Sequence, residues 1–184
     1  MDAKEIATLA DRIAEARRSR KVMDFLAAAT ATLSEADSYK VQFAVHDRLT
    51  GNGQDRIAGW KVALTLPTQY EPLKLSGPVF AGIYQSGVRQ SGAVFEKGWP
   101  IKAGIECEMV ARMAKDVTAG STAYTAETIK PFVANFYCGA EEIHHRPAAT
   151  GRGDPISECS DFLGVHSCLP KFIALPRPYG GGGP

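Results

Sequence analysis

Ile105-Glu106-Cys107-Glu108-Met109 reads as a strand with two carboxylates on one face. Side chains alternate along a strand, so Glu106 and Glu108 point one way and Ile105, Cys107 and Met109 the other, as an apolar packing face should. Two like charges side by side repel unless a cation neutralises them or water screens them. Carboxylates are hard ligands, so the matching cation is a divalent oxygen-seeking ion, Mg²⁺ or Mn²⁺. The competing reading is a solvated face of an edge strand. Glu142 supplies a third carboxylate, at the end of the apolar run Asn135-Phe136-Tyr137-Cys138-Gly139-Ala140-Glu141-Glu142-Ile143. Three carboxylates on two neighbouring strands can hold one octahedral ion with positions left open for water.

Upstream, the pattern predicts helices. Ile6, Leu9, Ile13 and Ala16 recur at helical spacing within residues 3–33, with a break near Ser19 to Met23. Arg17, Arg18 and Arg20 read as a solvated helix face. Ser34-Glu35-Ala36-Asp37 is a capping-box-like start for a helix of three to four turns, closed by the loop Gly51-Asn52-Gly53. Ile57 to Leu66 reads as a strand with Ile57, Gly59, Lys61 and Ala63 on one face. Lys61 is thus a charge inside an apolar strand. It either reaches water along its aliphatic stem or stands beside a bound anion with a proton available for transfer. Short strands are expected over Gly77 to Ile83 and Gly87 to Phe95, and Thr125 caps a helical turn over Ala126 to Phe132.

Gly59-Trp60-Lys61-Val62-Ala63-Leu64-Thr65, the Glu-x-Glu strand at Glu106 and Glu108, and Glu142 before Ile143 occur in that order. This ordered set resembles the 2-keto-4-pentenoate hydratase and 4-oxalocrotonate decarboxylase family of the fumarylacetoacetase-like superfamily. The resemblance spans Ser34 to Ile143. It implies an α+β fold, with N-terminal helices followed by a mixed β-roll, and a metal site formed by Glu106, Glu108 and Glu142. It also implies that Lys61 is the catalytic or substrate-binding lysine. The activity implied is metal-dependent hydration of a short 2-hydroxy-2,4-dienoate. The alternatives are decarboxylation of the 4-oxalocrotonate type, or a shortened, non-catalytic homologue that binds a metal or a partner. A small-molecule 2-hydroxydienoate or 2-oxo acid partner and a homo-oligomer follow from the same resemblance.

Beyond Ile143 the family pattern is lost. Six of the eleven prolines lie between Pro147 and Pro184, and the chain closes on Gly180-Gly181-Gly182-Gly183-Pro184. The expected division is therefore a domain over 1–146, with helices in 1–50 and strands in 51–146, and a divergent tail over 147–184 that leaves the β-roll incomplete. His144, His145 and His166 read as surface or tail histidines, and Arg152-Gly153-Asp154 as coincidence.

At 184 residues the chain is long enough for one real core, and a net charge of +1 gives no electrostatic footprint for nucleic acid. No apolar run approaches membrane-spanning length, and the first residues have no apolar signal core, so a cytoplasmic protein is expected. Cys107, Cys138, Cys159 and Cys168 show neither C-x-x-C nor zinc spacing, and free buried thiols are expected.

Overall fold

The first helix forms where the sequence supplies a reciprocal cap. The Asp2 carboxylate accepts the Glu5 N–H at 2.8 Å and the Glu5 carboxylate accepts the Asp2 N–H at 2.8 Å, opening α1 (Ala3–Arg18). The computed structural model describes residues 1–19, 21, 23–30, 33–51, 53, 55–94, 103–120, 122–144 and 173–174. After the predicted break come α2 (Leu26–Thr30) and α3 (Glu35–Thr50), whose Ser34 cap accepts the Asp37 N–H at 3.1 Å. Leu9, Ala10, Ile13 and Ala16 of α1 close on Val41 and Val45 of α3, with Met23 and Leu26 filling the end. A fully buried aliphatic side chain contributes about 1.5–3 kcal/mol. This cluster is the main apolar core among the described residues, because the strands there bury only Val79 and Tyr84 among large apolar side chains.

The opposite side of α3 meets a hairpin of β1 (Ile57–Ala63) and β2 (Val79–Tyr84), which pair antiparallel. The contact is aromatic. Tyr39 stacks on Phe80 at 4.7 Å, and His46 stands edge-on to Tyr84 at 5.6 Å. Gln42 Nε2 donates to the Phe80 carbonyl at 2.9 Å. Gly82 permits this approach, since a Cβ there would lie 2.8 Å from both His46 Cε1 and Ile57 Cδ1. Arg17 departs from expectation: it is buried, its guanidinium 5.4 Å from the centre of the Tyr84 ring. The helix face that carries Arg17 turns towards the hairpin rather than to water. Arg18 donates to the Arg48 carbonyl, and Arg20 lies outside the described residues.

β1 stops three residues before its expected end. Leu64 takes a left-handed backbone, φ 54°, and Pro67 opens a short helical turn, α4 (Pro67–Tyr70), followed by a 3-10 turn over Glu71–Leu73. The segment expected as a strand from Gly87 to Phe95 pairs only at β3 (Arg89–Gln90), and Phe95 lies outside the described residues. β4 (Ala103–Met113) and β5 (Val133–His144) form a long antiparallel pair, joined through α5 (Ala126–Ile129), whose Thr125 cap accepts the Thr128 N–H at 3.2 Å. The second sheet runs β3-β6-β5-β4. Its β6 (Ile173–Ala174) pairs with both Arg89–Gln90 and Gly139–Ala140, so the sheet draws on both sides of the expected boundary at residue 146. The rest of 147–184, with His145, His166, Cys159 and Cys168, lies outside the described residues. Among the described residues no helix is long and apolar enough to cross a membrane.

Candidate metal centre

In an antiparallel pair, directly opposed residues share a face. Glu106 stands opposite Glu141, and Glu108 opposite Gly139, which places no side chain in the way. Alternation puts Glu108 on the face of Glu106. One carboxylate oxygen from each of Glu106, Glu108 and Glu141 falls within 4.8 Å of the others. The three are graded in access: Glu106 is exposed, Glu108 is half-buried, and the Glu141 side chain is 1% exposed.

Among the described residues the third carboxylate beside Glu106 and Glu108 is Glu141, the neighbour of the Glu142 named in the sequence reading. Glu142 pairs with Ile105 in the register, a position on the other face of the strands. Its side chain lies outside the described residues. Adjacent residues on a strand face opposite ways, and nothing in two consecutive glutamates reveals which will meet the Glu-x-Glu strand. Only the pairing register selects Glu141.

Lys61 reaches the site from the other sheet. Its alternation on β1 holds as read, and its ammonium donates to Glu141 Oε1, with the lysine side chain 10% exposed. A buried carboxylate without a positive neighbour would be costly, so this pair makes the position of Glu141 tolerable. Three carboxylates against one ammonium leave a formal surplus of negative charge. Glu108 registers it: burial first, then Glu141 and Glu106, push its carboxyl above the ordinary range, with Lys61 pulling the other way.

The donor set suits a hard divalent cation. An octahedral magnesium with oxygens at about 2.1 Å sets neighbouring ligand oxygens about 3 Å apart. The exposed end at Glu106 leaves a side open to water or a ligand.

The reverse face of β4 and β5 corrects a second expectation. Ile105 and Met109 are 62% and 79% exposed, and Met113 and Phe136 are exposed as well, so the apolar face is not covered among the described residues. Cys107 and Cys138 are free, as expected, but exposed rather than buried, because they sit on that same face.

No protein-family model matches the chain, and no match is found among curated proteins. Solved structures do match. One is 4-oxalocrotonate decarboxylase from Pseudomonas putida G7 complexed with magnesium and adipate, at TM-score 0.80 and 18% identity, covering 97% of this chain and 65% of that one. The same enzyme complexed with calcium and acetate gives TM-score 0.76 and 20% identity, covering 97% of this chain and 64% of that one. The chain therefore shares the fold of these structures and spans just under two-thirds of their length.

Proposed function

We propose that this chain is a divalent-metal-dependent lyase acting on a short 2-hydroxy-2,4-dienoate or the related 2-oxo acid. The observation that carries the reading is the meeting of Glu106, Glu108 and Glu141 with Lys61 drawn in from a second sheet. The shared fold supports it, since the matching structures are complexed with magnesium and adipate, or calcium and acetate. Glu106, Glu108 and Glu141 would hold the ion. Magnesium is the ion proposed, as the site carries no feature that singles out manganese. Bound there, it would neutralise charge developing on the oxygens of the 2-oxo acid.

The chain's own residues supply the rest. Glu141 anchors the Lys61 ammonium in a nearly dry position. Rooted beside the site on β1, Lys61 can take a substrate carboxylate or pass a proton to a carbon of the dienol. Hydration requires loss of the C2 hydroxyl proton with protonation at C5, giving the conjugated ketone, and then addition of the elements of water, its hydroxyl at C4 and its proton at C3. Exposed Glu106 lies on the side from which water enters.

Decarboxylation is the second reading, favoured by the activity named for the matching structures. It needs the same sink for electrons at the C2 oxygen, with a distal carboxylate leaving as carbon dioxide. The test is turnover of 2-hydroxypenta-2,4-dienoate with Mg²⁺, followed by loss of dienol absorbance and mass spectrometry. A product heavier by one water establishes the hydratase. Release of carbon dioxide from 2-oxohex-3-enedioate establishes the decarboxylase. Metal binding with neither turnover leaves a non-catalytic metal-binding homologue. The reading includes a homo-oligomer, supported by the exposed apolar face of β4 and β5 and checked by light scattering.

A further inference from the structure

We propose that Lys61 is a built-in counter-cation that competes with the divalent ion for Glu141 and is released by that ion to face the substrate. This rests on the metal-centre reading above. Two facts coincide at one carboxylate. Glu141 accepts a hydrogen bond from the Lys61 ammonium, and it is also the buried member of the glutamate trio. A carboxylate so far from water is stable only beside a positive charge. The ammonium supplies one charge through hydrogen bonds, and a divalent ion supplies two through direct coordination. Both draw on the one Glu141 carboxylate, and two cations at close range repel, so each weakens the hold of the other.

The lysine is built for such an exchange. It is rooted on β1, in a different sheet from its partner, and its four-carbon stem lets the ammonium move without the backbone. An arginine in a bidentate fork would hold the carboxylate more rigidly. Displaced from Glu141, the ammonium remains beside the site, where an anionic group of the substrate can meet it. The order of events follows: the ion enters first, and only then is Lys61 available. The same group that keeps the site folded without metal thus prevents early engagement of substrate.

Calorimetric titration of the full chain with MgCl₂, compared with Lys61→Met, tests this. The variant is expected to bind Mg²⁺ about tenfold tighter or more, and Mg²⁺ is expected to raise its Tm by more than it raises that of the parent. Equal or weaker binding by Lys61→Met overturns the proposal. If the variant does not fold, the parent protein alone decides. Reductive methylation with formaldehyde, read at Lys61 by peptide mass spectrometry, should rise several-fold with Mg²⁺ while surface Lys40 and Lys130 stay constant. Unchanged or reduced labelling at Lys61 overturns the proposal. If neither protein binds Mg²⁺, the metal-centre reading fails and takes this one with it. If both bind equally, the centre stands and the competition alone is lost.

Discussion

Glu141→Gln preserves the shape of the buried side chain and removes its charge. Lys61, 10% exposed, is then left with an amide oxygen in place of a carboxylate. Removing one partner of a buried ion pair costs about 3–5 kcal/mol. The glutamine carbonyl still accepts a hydrogen bond, which lowers the expected loss to about 2–3 kcal/mol. For a chain of this length each kcal/mol moves the melting point by roughly 2–4 °C, so the metal-free Tm should fall by about 5–10 °C. The same variant removes one of three ligands, and Mg²⁺ affinity should drop by about tenfold or more. Thermal unfolding without metal, then calorimetry with MgCl₂, reads both effects. Glu142→Gln is the contrasting variant, one residue away and on the other face of β5 by register. It should move neither quantity. A Glu141→Gln protein with parental Tm and parental Mg²⁺ binding would refute the argument. Loss of binding in Glu142→Gln alone would show that the register is shifted by one.

Three further outcomes are expected. Glu108→Gln should act with opposite signs, raising the metal-free Tm by roughly 2 °C through relief of like-charge crowding while weakening Mg²⁺ binding; a drop in both would show that the charge is not crowded. Burial, together with the Arg17 charge, holds His46 down at about 4 against its ordinary 6.5. The unfolded chain therefore takes up a proton that the native state refuses, and the stability from neutral His46 is complete above pH 6.5 and lost as pH falls towards 4. The loss is about 3 kcal/mol at most; urea midpoints across this range should show it, and His46→Gln should flatten the slope. Lys74 is exposed and left-handed at φ 58°, so Lys74→Gly should stabilise by about 0.5–1 kcal/mol, with chemical denaturation as the check and a destabilised variant as the contrary result.

The local chemistry of this chain was legible, and the pairings were not. Caps at Ser34 and Thr125 mark helix starts because a side-chain oxygen next to free N–H groups is a local event. Glu106 and Glu108 share a face because alternation is a property of one strand. Lys61 stands out because a charge in an apolar strand needs a reason. Glu141 did not stand out from Glu142 in the sequence because strand register is decided by the partner. The burial of Arg17 was missed for the same kind of reason: it depends on Tyr84, far along the chain, on an element that folds over α1. The face carrying Ile105 and Met109 shows the converse, since apolar alternation promises a partner surface that is not among the described residues.

The pairing of Lys61 with Glu141 joins residues eighty positions apart. In folding terms it closes one of the longest loops in the chain, and such contacts form only after local structure is in place. The α1–α3 core and both hairpin-like strand pairs can assemble from nearer neighbours. The carboxylate trio therefore forms with the β4–β5 pair, and Lys61 joins it only with the docking of the two sheets, so arrival of the ammonium rather than of an ion marks completion of the fold. Protection of Lys61 from amine labelling, followed during refolding, would time that last step directly.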